Sequence, residues 1–147
     1  MEIKIYTDGA CIGNPGPGGW AAIILTESGK KEIFGGEKLT TNNRMELTSA
    51  IKALEYCIEK EDKQPSLKQI EIYTDSKYVK EGITTWIKAW ERNNWKTADK
   101  KNVKNVDLWK KLKELAKSNQ IEWNWIKSHS NDPMNDLADE LAKKATP

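Results

Sequence analysis

The sequence predicts an α/β protein: a mixed five-stranded sheet, three antiparallel strands then two parallel ones, flanked by helices. Three observations predict it. The opening stretch holds three β-patterned segments joined by turn signals. At Arg44 the apolar spacing changes from strand-like to helical. Each later β-patterned segment follows helical sequence, an arrangement that adds strands in parallel.

The first strand is expected over residues 2 to 8, where Ile3, Ile5 and Thr7 alternate with Lys4 and Tyr6. Residues 9 to 19, rich in Gly and Pro, read as a long turn. Trp20 to Thr26 resumes the β pattern, Ser28-Gly29 is a hairpin signal, and Glu32 to Leu39 forms a third strand with a bulge at Gly35-Gly36. Leu47, Ala50, Ile51, Leu54 and Ile58 then repeat at helical spacing. Gln69 to Thr74 is a fourth strand, and Ser76 can cap a short helix that stops at Gly82. Ile83 to Arg92 reads as helix and Trp95 to Asn105 as a polar loop. Val106 to Lys117 is a helix carrying Leu108, Leu112 and Leu115. Gln120 to Ile126 is the fifth strand. Asp132-Pro133, an N-cap followed by proline, opens a last helix to about Ala145.

The length of 147 residues fits one domain, 1–147, and 37% hydrophobic residues suffice for one core. No apolar run reaches the roughly 20 residues of a membrane span. The N-terminus reads as a strand without the apolar stretch of an export signal, so a cytoplasmic location is expected. Cys11, in the Gly/Pro loop, and Cys57, on an apolar helix face, lack metal-ligand spacing and fit a reduced compartment.

The net charge of +2 conceals an asymmetry. Residues 88 to 113 hold nine basic and three acidic side chains, +6, which leaves −4 elsewhere. A basic flank beside an acidic region suits a polyanion, although a solvated helix face gives the same count.

Asp8 and Asp75 end the echoing segments Ile-Lys-Ile-Tyr-Thr-Asp and Ile-Glu-Ile-Tyr-Thr-Asp. Side by side and parallel, these strands deliver both acids to one sheet edge, the carboxyl ends where open α/β sheets bind ligands. Either aspartate alone would suit a turn. Glu46 stands three residues after Asn43, which also fits a capping box. Asp132, Asp136 and Asp139 share a helix face. Asp139 can pair with Lys143, and Asp136 can serve the helix dipole, so periodicity alone does not choose between them. Gathered carboxylates repel one another, and divalent cations relieve that repulsion. Oxygen ligands favour Mg²⁺ or Mn²⁺ over Zn²⁺. Two such ions about 4 Å apart can promote phosphodiester hydrolysis. His129, the single histidine, is a surface residue or a proton shuttle.

Of seven tryptophans, Trp86, Trp90 and Trp95 interleave with Lys88, Arg92 and Lys96. They read as a satellite core, a nucleic-acid groove, or both. Trp123 and Trp125 share a strand face and read as core. The glycine-rich segment 9 to 19 lacks P-loop spacing and is expected to bring Asn14 near a ligand.

Seven motifs occur in order: Tyr-Thr-Asp-Gly at 6–9, Gly-Asn-Pro-Gly-Pro-Gly-Gly at 13–19, Thr-Asn-Asn-Arg-Met-Glu-Leu at 41–47, Thr-Asp-Ser at 74–76, Trp-Lys-Thr-Ala-Asp-Lys-Lys at 95–101, Lys-Asn-Val-Asp-Leu-Trp at 104–109 and Asp-Glu-Leu-Ala at 139–142. Through them the chain resembles the bacterial-type ribonuclease HI family over essentially its whole length. The resemblance implies a ribonuclease H-like fold and an endoribonuclease that cuts the RNA strand of RNA–DNA hybrids, leaving 5′-phosphate and 3′-hydroxyl ends. It implies a role in removing RNA primers and R-loops during DNA replication. It makes Asp8, Glu46, Asp75 and Asp139 the ligands of two Mg²⁺ ions, with Mn²⁺ able to substitute, and gives His129 a part in proton transfer or product release. Cys11, Asn14, Asn42 and Asn43 would contact the RNA strand, partly through 2′-hydroxyls. Thr41, Trp86, Trp90 and Asn105 would contact the DNA strand. Lys88, Arg92, Lys96, Lys100 and Lys101 would belong to a basic protrusion gripping the hybrid.

Three places in the chain depart from that pattern. Ser128, Ser130 and Asn131 flank His129 where a Gly-rich loop is usual. Leu39 stands where an Arg of the phosphate pocket often lies, and Lys77 where Gln is common. A monomer is expected, with low processivity, since no N-terminal hybrid-binding domain is seen. The alternatives are a DNA-cutting relative of the same superfamily and a non-catalytic hybrid-binding module.

Overall fold

The structure, a computed structural model, describes residues 2–61, 69–117, 120–128 and 130–147. Strands β1 (Glu2–Cys11), β2 (Gly16–Thr26) and β3 (Gly29–Thr40) lead into helix α1 (Asn42–Glu61). Strand β4 (Gln69–Thr74) is followed by α2 (Lys77–Glu81), a π-helical turn (Gly82–Trp86) and α3 (Ile87–Arg92). Helix α4 (Val106–Ala116), strand β5 (Gln120–Trp125) and helix α5 (Pro133–Ala145) complete the order. No helix among the described residues is long and apolar enough to cross a membrane.

The sheet order is β3-β2-β1-β4-β5. β1 pairs antiparallel with β2, and β2 with β3, while β4 joins β1 in parallel and β5 joins β4 in parallel. This is the expected mixed sheet. Its two faces follow from strand alternation. Ile3, Ile5, Ala22, Ile24, Ile70 and Ile72 point to one face and form the core with Leu47, Ile51, Leu54 and Cys57 of α1 and Leu112 of α4. The opposite face carries Ala21 and Ile23, buried along with Ala138 and Ala142 of α5, a helix that packs on β1, β2 and β3. Tyr6 and Tyr73 stack at 4.8 Å between ring centroids on adjacent strands.

Four expectations need correction. The turn expected over 9 to 19 spans only the residues between Cys11 and Gly16, because the flanking glycines pair within the β1–β2 ladder. Cys11 therefore belongs to a strand. The bulge falls between Gly16 and Gly18, while Gly35 and Gly36 pair regularly with Trp20 and Gly19. Gly82 is the C-cap of α2 as expected, but it is not a left-handed stop. Its backbone is right-handed helical, and the chain runs on through the π turn into α3. Glycine is needed there because a Cβ would overlap the Trp109 indole, which is wholly buried. Finally, Trp123 packs against the core, but Trp125 is 39% exposed at the end of β5.

Candidate active site

The Thr7–Thr74 pair closes the parallel β1–β4 ladder and so places Asp8, within β1, beside Asp75, which follows β4. The sequence echo therefore becomes a spatial one. Glu46 comes from the second turn of α1. That helix is capped by Thr41, whose hydroxyl accepts from the Arg44 backbone N–H at 3.2 Å, and by Asn14, whose Oδ1 accepts from the Asn42 N–H at 2.7 Å. The Asn43–Glu46 capping box is thus not what starts the helix. The Glu46 carboxylate is buried, and its Oε1 has no hydrogen-bond partner.

Asp8, Glu46 and Asp75 each offer an oxygen lying within 4.8 Å of the others, and this cluster could hold a metal ion. Asp139 of α5 lines the same cleft, together with Asn42, Asn43, Lys77, Tyr78 and Ser128. Its carboxyl is within hydrogen-bonding reach of Asp8, and it also pairs with Lys143 at 3.0 Å. Asp139 thus makes the expected pair with Lys143 while lining the cleft, whereas Asp136 is an exposed acid in the first turn of α5. Asp132 is the α5 N-cap, accepting from the Met134 and Asn135 N–H groups.

The electrostatics show the tension in this cluster. Burial first, then the negative charge of Asp75 and the nearby Asp139 carboxyl, push the Asp8 carboxyl up to about 8. Burial, with the charges of Asp8 and Asp75, holds the Glu46 carboxyl well above the ordinary carboxylate range. Asp8 Oδ1 accepts from the Gly9 N–H at 2.9 Å, but Asp8 Oδ2, like Glu46 Oε1, is buried without a partner. Buried orphan carboxylate oxygens are costly. A hard cation would satisfy both oxygens and remove the repulsion, so the donor set fits a divalent ion bound through oxygen.

Beside the acids lies a polar network. The Tyr78 hydroxyl accepts from Asn105 Nδ2 and from Trp109 Nε1, each at 3.1 Å. Asn105, in a left-handed conformation at φ 60°, also accepts from Arg44 Nη1 at 3.2 Å. Arg44 grips Asp107 with two hydrogen bonds, which raises the Arg44 pKa and lowers that of Asp107. The starts of α1, α2 and α4 are thereby fastened together, with Thr41 and Asn105 on the same side. Sequence reasoning missed Tyr78. Its signal was its position three residues after Asp75, in the first turn of α2.

The tryptophans divide. Trp90 and Trp95 pack against the core, with Trp90 5.3 Å from Trp109, while Trp86 stays 40% exposed, 6.0 Å from Trp90. Satellite core and open aromatic surface therefore coexist. Lys88, Arg92, Lys96, Lys100 and Lys101 are exposed. Lys88 lines a groove between α3 and α4, together with Ile87 and Lys113. The Cys11 thiol donates to the Gly16 and Thr40 carbonyls. The His129 expectation lies outside the described residues.

A mixed sheet with acids gathered where the parallel β1–β4 ladder ends defines an α/β protein with a carboxylate cluster that could hold a metal ion. A family model described as RNase H matches residues 1–146, and the chain belongs to the ribonuclease H family. A Ribonuclease H of Wolbachia sp. subsp. Drosophila simulans (strain wRi) is 53% identical over 147 residues, covering 98% of this chain and 94% of the relative. A Ribonuclease H of Maricaulis maris (strain MCS10) is 54% identical, covering 97% of this chain and 91% of the relative. Among solved structures, LC9-RNase H1, a type 1 RNase H with the type 2 active-site motif, superposes with a TM-score of 0.85 at 28% identity, covering 99% of this chain and 72% of that one. LC11-RNase H1 in complex with RNA/DNA hybrid gives 0.74 at 26% identity, covering 98% and 96%.

Proposed function

We propose that this ribonuclease H hydrolyses the RNA strand of RNA–DNA hybrids, with Asp8, Glu46, Asp75 and Asp139 as the ligands of two Mg²⁺ ions. The observation that carries the reading is the pair of buried orphan oxygens, Asp8 Oδ2 and Glu46 Oε1, in a cluster only 4.8 Å across. Bound there, the ions would activate a water and stabilise the leaving 3′-oxygen, giving 5′-phosphate and 3′-hydroxyl products. Mn²⁺ has the same preference for oxygen and would substitute.

The chain's own groups have separable tasks. The four acids hold the cations and fix the scissile phosphate relative to them. Asn42 and Asn43 open onto the cleft at the first turn of α1, where exposed amides can meet ribose 2′-hydroxyls. Asn14 contributes by holding that turn in place, and Cys11 lies beside it on the RNA side. Thr41 and Asn105 face a DNA phosphate, and Trp86 and Trp90 the DNA sugars. The cations of Lys88, Arg92, Lys96, Lys100 and Lys101 attract the hybrid at long range. His129 moves a proton or aids product release. The 1–147 unit acts as a monomer in the cytoplasm on primers and R-loops.

A substrate panel tests this. Labelled hybrid, single-stranded RNA, duplex RNA and duplex DNA are each incubated with protein and Mg²⁺. Cleavage of only the hybrid's RNA strand, with 5′-phosphate products, is expected. Equal cleavage of all four, or full activity in Asp8→Asn, would refute the assignment.

A further inference from the structure

The segment leaving β5 is fastened to the tip of β4 by three hydrogen bonds. The Ile126 N–H donates to the Thr74 carbonyl at 2.9 Å. The Trp125 indole N–H donates to the Asp75 carbonyl at 3.0 Å. The Ser128 hydroxyl donates to Asp75 Oδ2 at 2.7 Å. Lys77 caps the far side, with its ammonium 4.6 Å from the centre of the Trp125 ring. Asp75 is thus held at its backbone by an indole and at its carboxylate by a hydroxyl. Asp8 differs: among the described residues its carboxylate accepts from the backbone N–H of the next residue, Gly9, which needs no particular side chain.

We propose that Ser128 is a positioning residue for Asp75: its hydroxyl, anchored through Trp125 and Ile126, fixes the rotamer in which Asp75 meets a divalent cation. This rests on the cation reading of the Asp8–Glu46–Asp75 cluster. Three features support it. The donor engages one carboxylate oxygen and leaves the other for the cluster. A short hydroxyl–carboxylate bond fixes the plane of the carboxylate, which a backbone contact to the Asp75 carbonyl cannot do. Ser128 lies in the same cleft as the acids, and the chain on both sides of it is tied, since the Ser130 hydroxyl donates back to the Lys127 carbonyl at 2.6 Å. Groups that hydrogen-bond a ligating carboxylate contribute measurably to metal affinity because they spare the ligand its ordering entropy on binding.

The test is calorimetric titration of Mn²⁺, without nucleic acid, into the full chain and four variants. Ser128→Ala should weaken Mn²⁺ binding by about tenfold, the lower end for such supporting donors, with an unchanged thermal midpoint in EDTA because Ser128 is exposed. Ser128→Gly removes the same donor and should behave alike, giving a second reading if Ser128→Ala does not fold. Ser128→Thr keeps the hydroxyl and should restore affinity to within about twofold. In cleavage assays Ser128→Ala should raise the Mg²⁺ concentration for half-maximal rate and leave the rate at saturating Mg²⁺ nearly intact. Affinity in Ser128→Ala equal to or tighter than wild type overturns the proposal, as does a Ser128→Thr variant as weak as Ser128→Ala. The Asp75→Asn variant separates the two claims. If it binds Mn²⁺ as well as wild type, or if wild type binds none, the cation reading itself fails and the role of Ser128 falls with it.

Discussion

A Cβ on Gly9 would lie 2.5 Å from the backbone nitrogen of Glu46. Helix α1 therefore crosses β1 with backbone almost on backbone, at the residue following Asp8. This close approach brings a helix carboxylate to a strand carboxylate. Gly9→Ala would force α1 away from β1. It should cost about 1–3 kcal/mol of stability, typical of overpacking, and reduce hybrid cleavage more than tenfold through displacement of Glu46. Urea unfolding and steady-state cleavage rates check the two effects, and Gly9→Ala activity near wild type would show that the contact does not position Glu46.

The raised Asp8 pKa makes metal-free stability depend on pH in a stated direction. The native carboxyl titrates at about 8, and an unfolded one near 4. Between those values the native state binds more protons than the unfolded state. Stability is therefore highest below about pH 4 for this group and declines as pH rises towards 8. Glu46 acts in the same direction. Thermal unfolding in EDTA should show the midpoint falling from pH 5.5 to about pH 8.5, with Mg²⁺ restoring it most at the alkaline end. Asp8→Asn should abolish cleavage yet stabilise the metal-free protein at alkaline pH by about 1–3 kcal/mol. A midpoint independent of pH in EDTA would contradict the crowding of these acids.

Tyr78 links the starts of α2 and α4 through one oxygen that accepts from Asn105 and Trp109. Tyr78→Phe leaves both donors without that partner, the indole within the core. The expected loss is about 1–3 kcal/mol, accompanied by a raised KM for hybrid as Asn105 loses its orientation. Denaturant unfolding and a KM-against-kcat comparison test this, and a change in kcat alone would place Tyr78 elsewhere in the mechanism.

Lys100 and Lys101 are exposed in the loop between α3 and α4, where the Lys101 ammonium lies 3.8 Å from Asp99. Replacing both with Ala should weaken hybrid binding and reduce the slope of log affinity against log salt by up to about 2, with little effect on stability. Unchanged salt dependence by fluorescence anisotropy would remove this loop from the binding surface.

Much of the architecture was legible in the sequence because it depends on local pattern. The repeated Tyr-Thr-Asp hexapeptide announced parallel neighbours with acids at one edge, and Asp132-Pro133 announced the α5 cap. What local pattern could not supply was anything set by packing across the chain. Gly82 looks like a helix terminator in isolation and is a seat for Trp109 in the fold. The glycines ending β1 and starting β2 look like a turn because they carry no alternating side chains, although their backbones complete the ladder. Glu46 fits a capping box by spacing alone. Only the capture of the α1 start by Thr41 and Asn14 leaves its carboxylate to the cleft. Trp125, read as core from its strand face, lies beyond the cover of the core helices and turns its indole to Asp75 instead.

The most direct measurement is the anomalous scattering of Mn²⁺ in crystals of the Asp8→Asn variant bound to hybrid, compared with wild-type crystals soaked in Mn²⁺ alone. Wild type should show a strong peak among Asp8, Glu46 and Asp75, and the hybrid complex should bring the scissile phosphate and Asp139 around that same cleft. Wild-type crystals in saturating Mn²⁺ with no peak within coordination distance of Glu46 and Asp75 would contradict the account.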